Sequence, residues 1–221
     1  LKITVNDLLS RPIENATVNI YENSDSGTPI YSLTTNVDGQ TEPVALDAPI
    51  ESLSMSPGII IPYSQYNIVV TADGYFPITI NGINIFCDIL SLQNVVLPNI
   101  EGLEEIFNIG PNVLYGDYPA KIPEAEIKPI TDTGEIVLNE VVVPEFIVVH
   151  DGLPNDSSAP NYYVSFPDYI KNVASSEIYP TWPEETIRAN ILAIISFTLN
   201  RVYTEWYRNQ GYDFTITSST A

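Results

Sequence analysis

Short runs in which apolar and polar residues alternate dominate the first hundred positions of this 221-residue chain. They occupy residues 1–5, 16–21, 30–35, 66–71 and 76–80, with a last run at 92–97. Alternation rich in β-branched residues is typical of strands that bury one face. Turn signals such as Asp38-Gly39 and Asp73-Gly74 separate the runs. Six or seven short strands at this spacing predict an antiparallel β-sandwich over residues 1–98.

Residues 99–145 differ in character, because proline, glycine and glutamate recur throughout this stretch. Prolines at this density exclude long helices and central strands. We therefore predict an extended acidic connector over 99–145, with one hairpin around 132–134. A solvated linker is favoured over a metal-binding role for its glutamates. An exposed connector of this kind is also a place where an activating protease can cut.

From residue 146 onward the pattern becomes mainly helical. An apolar strand at 146–150 and a turn-rich loop precede a helix predicted over 167–177. A second, long helix is predicted from Thr181 to about Asn209, because apolar residues recur there at three- and four-residue spacings. Thr181 and Glu184 form the pattern of a capping box at its start. The chain as a whole is thus predicted to be α+β, with a helical lobe over 146–221.

Composition excludes several classes of function. Lys and Arg total 8 against 28 Asp and Glu, which gives a net charge of −20. A chain this acidic repels phosphate backbones and anionic lipid, so we expect neither a nucleic-acid nor a membrane partner. No run approaches the roughly 18 to 20 continuous apolar residues that span a bilayer. One cysteine and one histidine exclude an intrachain disulfide and a Cys/His zinc module, and we predict no cofactor.

Three segments in the first part carry short motifs: 11–18 (RPIENATV), 35–40 (TNVDGQ) and 66–75 (YNIVVTADGY). They resemble the strand pair, the Thr-(Asp/Asn)-x-x-Gly turn and the Gly-Tyr hairpin of carboxypeptidase-regulatory-like, prealbumin-type domains. The glycines stand where turns need a positive φ, in agreement with that resemblance. The resemblance implies a rigid spacer or interaction module without chemistry of its own.

Residues 173–190 (VASSEIYPTWPEETIRAN) carry the most specific pattern. Glu177 ends one predicted helix, Trp182 follows five positions later, and a Glu-x-Ile-Arg-Ala-Asn stretch opens the next helix. This resembles the signature of the SpoIID/LytB family of peptidoglycan lytic transglycosylases, and Gly-Tyr-Asp at 211–213 is similar to a later family motif. The sequence departs from the family at Tyr179, where proline is common, and at Ile195, where arginine is frequent. We expect 146–221 to be an incomplete domain of this type.

The resemblance implies that Glu177 is the catalytic acid and base. Lytic cleavage of a MurNAc–GlcNAc bond needs one carboxyl, which protonates the leaving oxygen and then takes a proton from the attacking C6 hydroxyl. The paired carboxylates of ordinary glycosidases are not required. From spacing alone, a solvated residue at a helix end is the favoured interpretation of Glu177, and the resemblance turns the preference to the catalytic role.

Three neighbours of Glu177 are predicted to bind substrate. Tyr179 and Trp182 have the flat rings that stack on sugars, although core or hinge aromatics have the same pattern. Arg188 suits a lactyl or peptide carboxylate, and its alternative is a helix-surface ion pair with Glu184 or Glu185.

A prealbumin-like part, an acidic connector and a SpoIID-like stretch occur in this order in SleC-type spore cortex-lytic enzymes, which the chain resembles. The resemblance implies cortex peptidoglycan as substrate, a precursor activated by a germination protease, and a location in the spore or the extracytoplasmic wall. The alternative is a non-catalytic protein of the wall or spore that acts through binding alone.

Overall fold

The computed structural model describes residues 1–22, 27–55, 60–99, 105–114 and 140–218. They form a mixed α+β protein, as the sequence predicts, with β-sheets in the N-terminal part and helices near the C-terminus. The chain divides into two compact units, Leu1–Val113 and Leu114–Ala221.

The described part of the first unit is built from seven strands. They are β1 (Lys2–Asp7), β2 (Thr17–Glu22), β3 (Tyr31–Thr34), β4 (Ser64–Thr71), β5 (Ile78–Ile85), β6 (Leu92–Leu97) and β7 (Glu105–Asn108). One sheet pairs β1 with β6, and a five-stranded sheet has the order β3-β2-β4-β5-β7. Both sheets contribute apolar side chains to one core, in which Ile3, Val18 and Ile68 are fully buried. The alternation in the sequence therefore identified the buried faces correctly.

The prediction of a wholly antiparallel sandwich is wrong. Strand β1 runs parallel to β6, with Lys2 opposite Leu92, and β5 runs parallel to β7, with Ile78 opposite Glu105. The two sheets are open and do not make a closed sandwich. Alternation reveals which face of a strand is buried, but it carries no information on the direction of the neighbouring strand.

Strand β7 lies inside the stretch predicted to be an extended connector. All four of its residues are exposed, and among the described strands it pairs with β5 alone. A strand without a buried face shows no alternation, which explains why the sequence did not reveal it. The predicted hairpin at 132–134 lies outside the described residues, as do Glu101, Glu104, Glu124, Glu126 and Glu135.

The described part of the second unit packs two helices on a small sheet. The elements are β8 (Phe146–His150), β9 (Asn161–Ser165), α1 (Phe166–Glu177), α2 (Glu184–Tyr203) and β10 (Ile216–Thr217). Strand β8 lies centrally, antiparallel to β9 and parallel to β10. Ile147, Ile170 and Ile194 join sheet and helices in one apolar cluster. Within the described ranges, no helix combines the length and the apolar character needed to cross a bilayer.

The helix ends are only partly as predicted. Helix α1 begins one residue early, and Ser165 caps it by accepting a hydrogen bond from the backbone N–H of Asp168. The capping box is wrong, because α2 begins at Glu184 with Pro183 in the N-cap position and no side-chain cap. Helix α2 also ends at Tyr203 instead of near Asn209. Glu205 has a φ of 47°, which is incompatible with a continued right-handed helix.

Candidate functional site

Glu177 lies at the point where the chain leaves α1. The next residue, Ile178, is extended and ends the helix, and residues 178–183 lead to α2. The carboxylate of Glu177 is partly buried, and its Oε2 accepts a hydrogen bond of 2.7 Å from Nδ2 of Asn190 on α2. The predicted acid therefore faces the second helix of the same motif and is held there by a neutral amide.

Asn190 is the residue that sequence reasoning did not single out as a partner of Glu177. In the helix-opening motif, the pattern predicts only the residue type at this position and no contact. Its Oδ1 is buried and makes no hydrogen bond to any of the residues that the structure describes. An amide on the mostly apolar inner face of a helix is the signal that marks such a residue, because buried polar groups need partners.

The contact between Glu177 and Asn190 belongs to a regular antiparallel arrangement of the two helices. Val173 lies four residues before Glu177 on α1, and Ile194 lies four residues after Asn190 on α2. Both belong to the same apolar cluster. Another four residues earlier on α1, the Tyr169 side chain forms a hydrogen bond with the side chain of Thr198, which lies another four residues later on α2. Residues four apart lie on one helix face, so the three pairs form a continuous interface with polar groups at both ends.

The pKa of the Tyr169 phenol depends on the burial and the charges within that interface. Burial raises the pKa of the Tyr169 phenol, the Thr198 hydroxyl acts in the opposite direction, and the negative charge of Glu177 raises it further. Thr198 itself has no exposed surface. The carboxylate of Glu177 is therefore close enough to raise the pKa of a partly buried phenol within the helix pair.

The three predicted substrate-binding residues occupy different environments. Tyr179 is 9% exposed and belongs to the protein interior, whereas Trp182 is partly exposed. The two are joined by a turn, in which the Trp182 N–H donates to the carbonyl oxygen of Tyr179 across 3.1 Å. Arg188 is exposed and forms an ion pair with Glu184 one turn earlier on α2. The ion pair is the alternative that the sequence had suggested for this arginine.

A cavity of about 180 Å³ opens elsewhere in the second unit. Its walls are Pro144, Phe146, Arg201, Val202, Glu205, Tyr207, Arg208, Phe214 and Thr215. None of Glu177, Tyr179, Trp182 and Arg188 lines it. The four predicted residues and this cavity are thus separate features of the fold.

His150, the single histidine, has a structural environment. Its Nδ1 lies 2.8 Å from Oδ1 of Asn161, its Nε2 lies 3.0 Å from the carbonyl oxygen of Leu153, and its ring stacks on Phe214. Asn161 in turn donates to Asp213 across 2.9 Å. Both ring nitrogens are engaged, so the side chain ties β8 to β9 and to the loop between them. Among the residues that the structure describes, no group of three or more His, Cys, Asp or Glu is placed to hold a metal ion.

No protein-family model and no curated protein matches this chain. The resemblance to lytic transglycosylases and to prealbumin-type domains therefore stays a prediction. The geometry around Glu177 is the structural basis on which a function can be argued.

Proposed function

We propose that the chain is part of a lytic transglycosylase that cleaves the MurNAc–GlcNAc bond of spore cortex peptidoglycan. The observation that carries this proposal is the placement of Glu177. Its partly buried carboxylate ends α1, faces α2 and accepts a hydrogen bond from Asn190. The prealbumin-like resemblance of the first unit and the SpoIID-like resemblance of the second belong to the same proposal.

In this proposal Glu177 acts twice. As an acid it protonates the glycosidic oxygen, and as a base it accepts the proton of the muramic C6 hydroxyl that attacks the anomeric carbon. A 1,6-anhydro sugar is released and the carboxyl is regenerated. The amide of Asn190 fixes the position of the carboxylate during both transfers, because a hydrogen bond from a second helix restricts its rotamers.

Burial distinguishes the roles of the residues around Glu177. Trp182 retains exposed surface and is suited to stack on a sugar ring. Tyr179 is largely buried, so its part is to shape the wall behind the glutamate. Arg188 reaches a lactyl or peptide carboxylate only by exchanging its ion pair with Glu184, which is cheap for an exposed pair.

The biological setting belongs to the proposal as well. We place the protein in the spore or the extracytoplasmic wall, as a precursor that a germination protease activates. Glycan strands of peptidoglycan are its substrate and partner, and no cofactor takes part in the reaction.

The decisive experiment compares the full chain with Glu177→Gln on purified cortex peptidoglycan. Mass spectrometry should detect 1,6-anhydromuropeptides with the unmodified protein and none with the variant. Glu185→Gln is the matched control, since this exposed glutamate lies in the first turn of α2, whereas Glu177 ends α1. Undiminished release of anhydro products by Glu177→Gln would refute the assignment.

A second candidate is a wall- or spore-associated protein that binds without catalysis. The cavity of the second unit, which contains none of the four predicted residues, favours this role. Retention of the chain on cortex fragments without any anhydro product would support it over the lytic function.

A further inference from the structure

The outer face of the five-stranded sheet has no charged side chain on any of its described strands. Strands β2 and β7 contain one charged residue each, Glu22 and Glu105. Both lie opposite residues of the buried face, Tyr66 and Ile78, and so alternate away from the outer face. In a chain of net charge −20, this neutral face is suited to an uncharged polar ligand. Its outward positions include six amides: Asn19, Gln65, Asn67, Asn81, Asn84 and Asn108.

Three of these amides form a row across neighbouring strands. Asn67 on β4 stands opposite a β-bulge of β5, and its Oδ1 accepts a hydrogen bond of 3.0 Å from the backbone N–H of Gly82. Nδ2 of Asn81 on β5 donates across 3.0 Å to Oδ1 of Asn108 on β7. The opposite end of each amide makes no hydrogen bond to a described residue. The row therefore offers a donor at Asn67, an acceptor at Asn81 and a donor at Asn108.

An aromatic ring continues the row on β2. Tyr21 is the register partner of Asn67, and its side chain is partly exposed. A tyrosine ring combines a flat apolar surface with a hydroxyl group. Neighbouring strands lie about 4.8 Å apart, so the row from β2 to β7 spans roughly 14 Å. An extended ligand that crosses the strands can thus contact one side chain on each of them.

The chemistry of the row determines which ligand fits. A carboxylate only accepts hydrogen bonds and an ammonium group only donates them, so neither satisfies donors and acceptors that alternate. A sugar hydroxyl does both, and the acetamido group of an N-acetylated sugar carries one N–H and one C=O. The apolar face of a pyranose ring matches the ring of Tyr21. Polyanionic glycans are disfavoured, because the rest of the chain is strongly acidic.

We propose that the outer face of the five-stranded sheet binds a glycan strand of N-acetylated sugars that lies across β2, β4, β5 and β7. Asn67, Asn81 and Asn108 bind its acetamido and hydroxyl groups, and Tyr21 stacks on a pyranose ring. The choice of N-acetylated sugars rests on the proposed function, in which the second unit cleaves such a strand. The binding itself needs only residues of the first unit and no catalytic step.

The test measures binding of chitohexaose, a chain of N-acetylglucosamine, to the full protein by calorimetry and by shifts of the asparagine side-chain resonances. Chitohexaose contains no MurNAc, so the proposed lytic reaction does not consume it. Cellohexaose, which has hydroxyls in place of the acetamido groups, should bind about five- to tenfold more weakly. Oligogalacturonate, which carries carboxylates, should bind more weakly than either. No binding of chitohexaose, or equal affinity for cellohexaose, would overturn the proposal.

Two variants and two matched controls locate the site. Tyr21→Ala should weaken chitohexaose binding about tenfold, and Asn108→Ala about three- to tenfold. Asn94→Ala removes an exposed amide from β6 of the other sheet, and Tyr163→Ala removes a 76% exposed ring from β9 of the second unit. Each control should leave the affinity within about twofold. Equal weakening by Asn108→Ala and Asn94→Ala would overturn the proposal, and thermal denaturation checks that all four variants are folded.

Glycan binding and the lytic reaction can fail separately. Anhydro products from cortex peptidoglycan without binding of chitohexaose would contradict the glycan-binding face alone. Binding of chitohexaose without anhydro products would support this face and contradict the lytic reaction alone. Sedimentation of the full chain tests a different occupant: a dimer that dissociates in Tyr21→Ala would assign the face to a second copy of the chain and overturn the glycan proposal.

Discussion

Nδ2 of Asn190 donates a 2.7 Å hydrogen bond to Oε2 of Glu177 and so joins the second turn of α2 to the last residue of α1. A polar contact at this place does two things at once. It stabilises the packing of the helix pair, and it gives the carboxylate a single orientation. The two effects can be separated experimentally.

Replacement of Asn190 by alanine should lower the free energy of unfolding of the second unit by about 1–2 kcal/mol. The reason is that Glu177 then keeps a partly buried carboxylate without its donor. Urea denaturation followed by helical circular dichroism measures the change. Asn200→Ala, at an exposed position of the same helix, should change stability by less than about 0.5 kcal/mol. Equal losses in the two variants would show that the interhelical contact contributes nothing.

Asp7 should make the first unit less stable in acid. The backbone N–H of Arg11 is the main cause that lowers the pKa of Asp7, and the Arg11 guanidinium and the Leu9 N–H act in the same direction against the effect of burial. A carboxyl whose pKa is lowered by folding stabilises the fold above its ordinary pKa, and this contribution is lost as the pH falls through the lowered value.

The measurement for Asp7 is the difference in unfolding free energy between the protein and Asp7→Asn as a function of pH. We expect the difference to be largest near neutral pH and to shrink as the pH falls below the ordinary aspartate range. A difference that stays constant into strong acid would contradict the role of the charge.

Replacement of Ile68 by alanine should cost about 2–5 kcal/mol, because this side chain has no exposed surface and lies in the core shared by both sheets. Leu92→Ala removes a comparable side chain that is 69% exposed, and should cost less than about 0.5 kcal/mol. Thermal and chemical denaturation of the two variants provide the comparison. Similar losses would mean that the core is not where the strand register places it.

Two glycines with positive φ should differ in their tolerance of alanine. Gly39 has a φ of 70°, and a Cβ there would overlap the carbonyl oxygen of Val5. Gly74 has a φ of 81° but open space around it. Gly74→Ala should therefore cost only the strain of the left-handed conformation, about 1–2 kcal/mol, and Gly39→Ala clearly more. Stability measurements that rank the two variants in the opposite order would contradict the close approach of Gly39 to the carbonyl oxygen of Val5 on β1.

The sequence predicted the elements with clear periodicity and failed where periodicity carries no information. Strands β2, β4 and β5 and helix α1 have one buried face, so alternation or helical spacing revealed them. The sequence did not reveal that β6 runs parallel to β1, nor that the exposed strand β7 exists. Both depend on pairing between residues far apart in the chain, and local patterns carry no information on such pairing.

The candidate site was predictable in its residues but not in its contacts. The pattern around Glu177 placed the glutamate at the end of a helix, as the structure has it. It did not identify Asn190 as its partner, and it left open whether Tyr179 stacks on a sugar or belongs to the core, because both depend on tertiary packing. The end of α2 was missed since the apolar stripe continues past Tyr203 to Trp206, although the backbone turns away at Glu205.

The matched spacing of polar pairs on α1 and α2 also limits how this region can change in evolution. An inserted residue between Tyr169 and Glu177 would turn one of them by about 100° around the helix axis relative to the other. Tyr169 and Glu177 could then no longer contact Thr198 and Asn190 at the same time. Related proteins that retain both pairs should thus vary at the exposed positions of this stretch of α1, while keeping Ile170 and Val173 apolar and admitting no insertion or deletion within it.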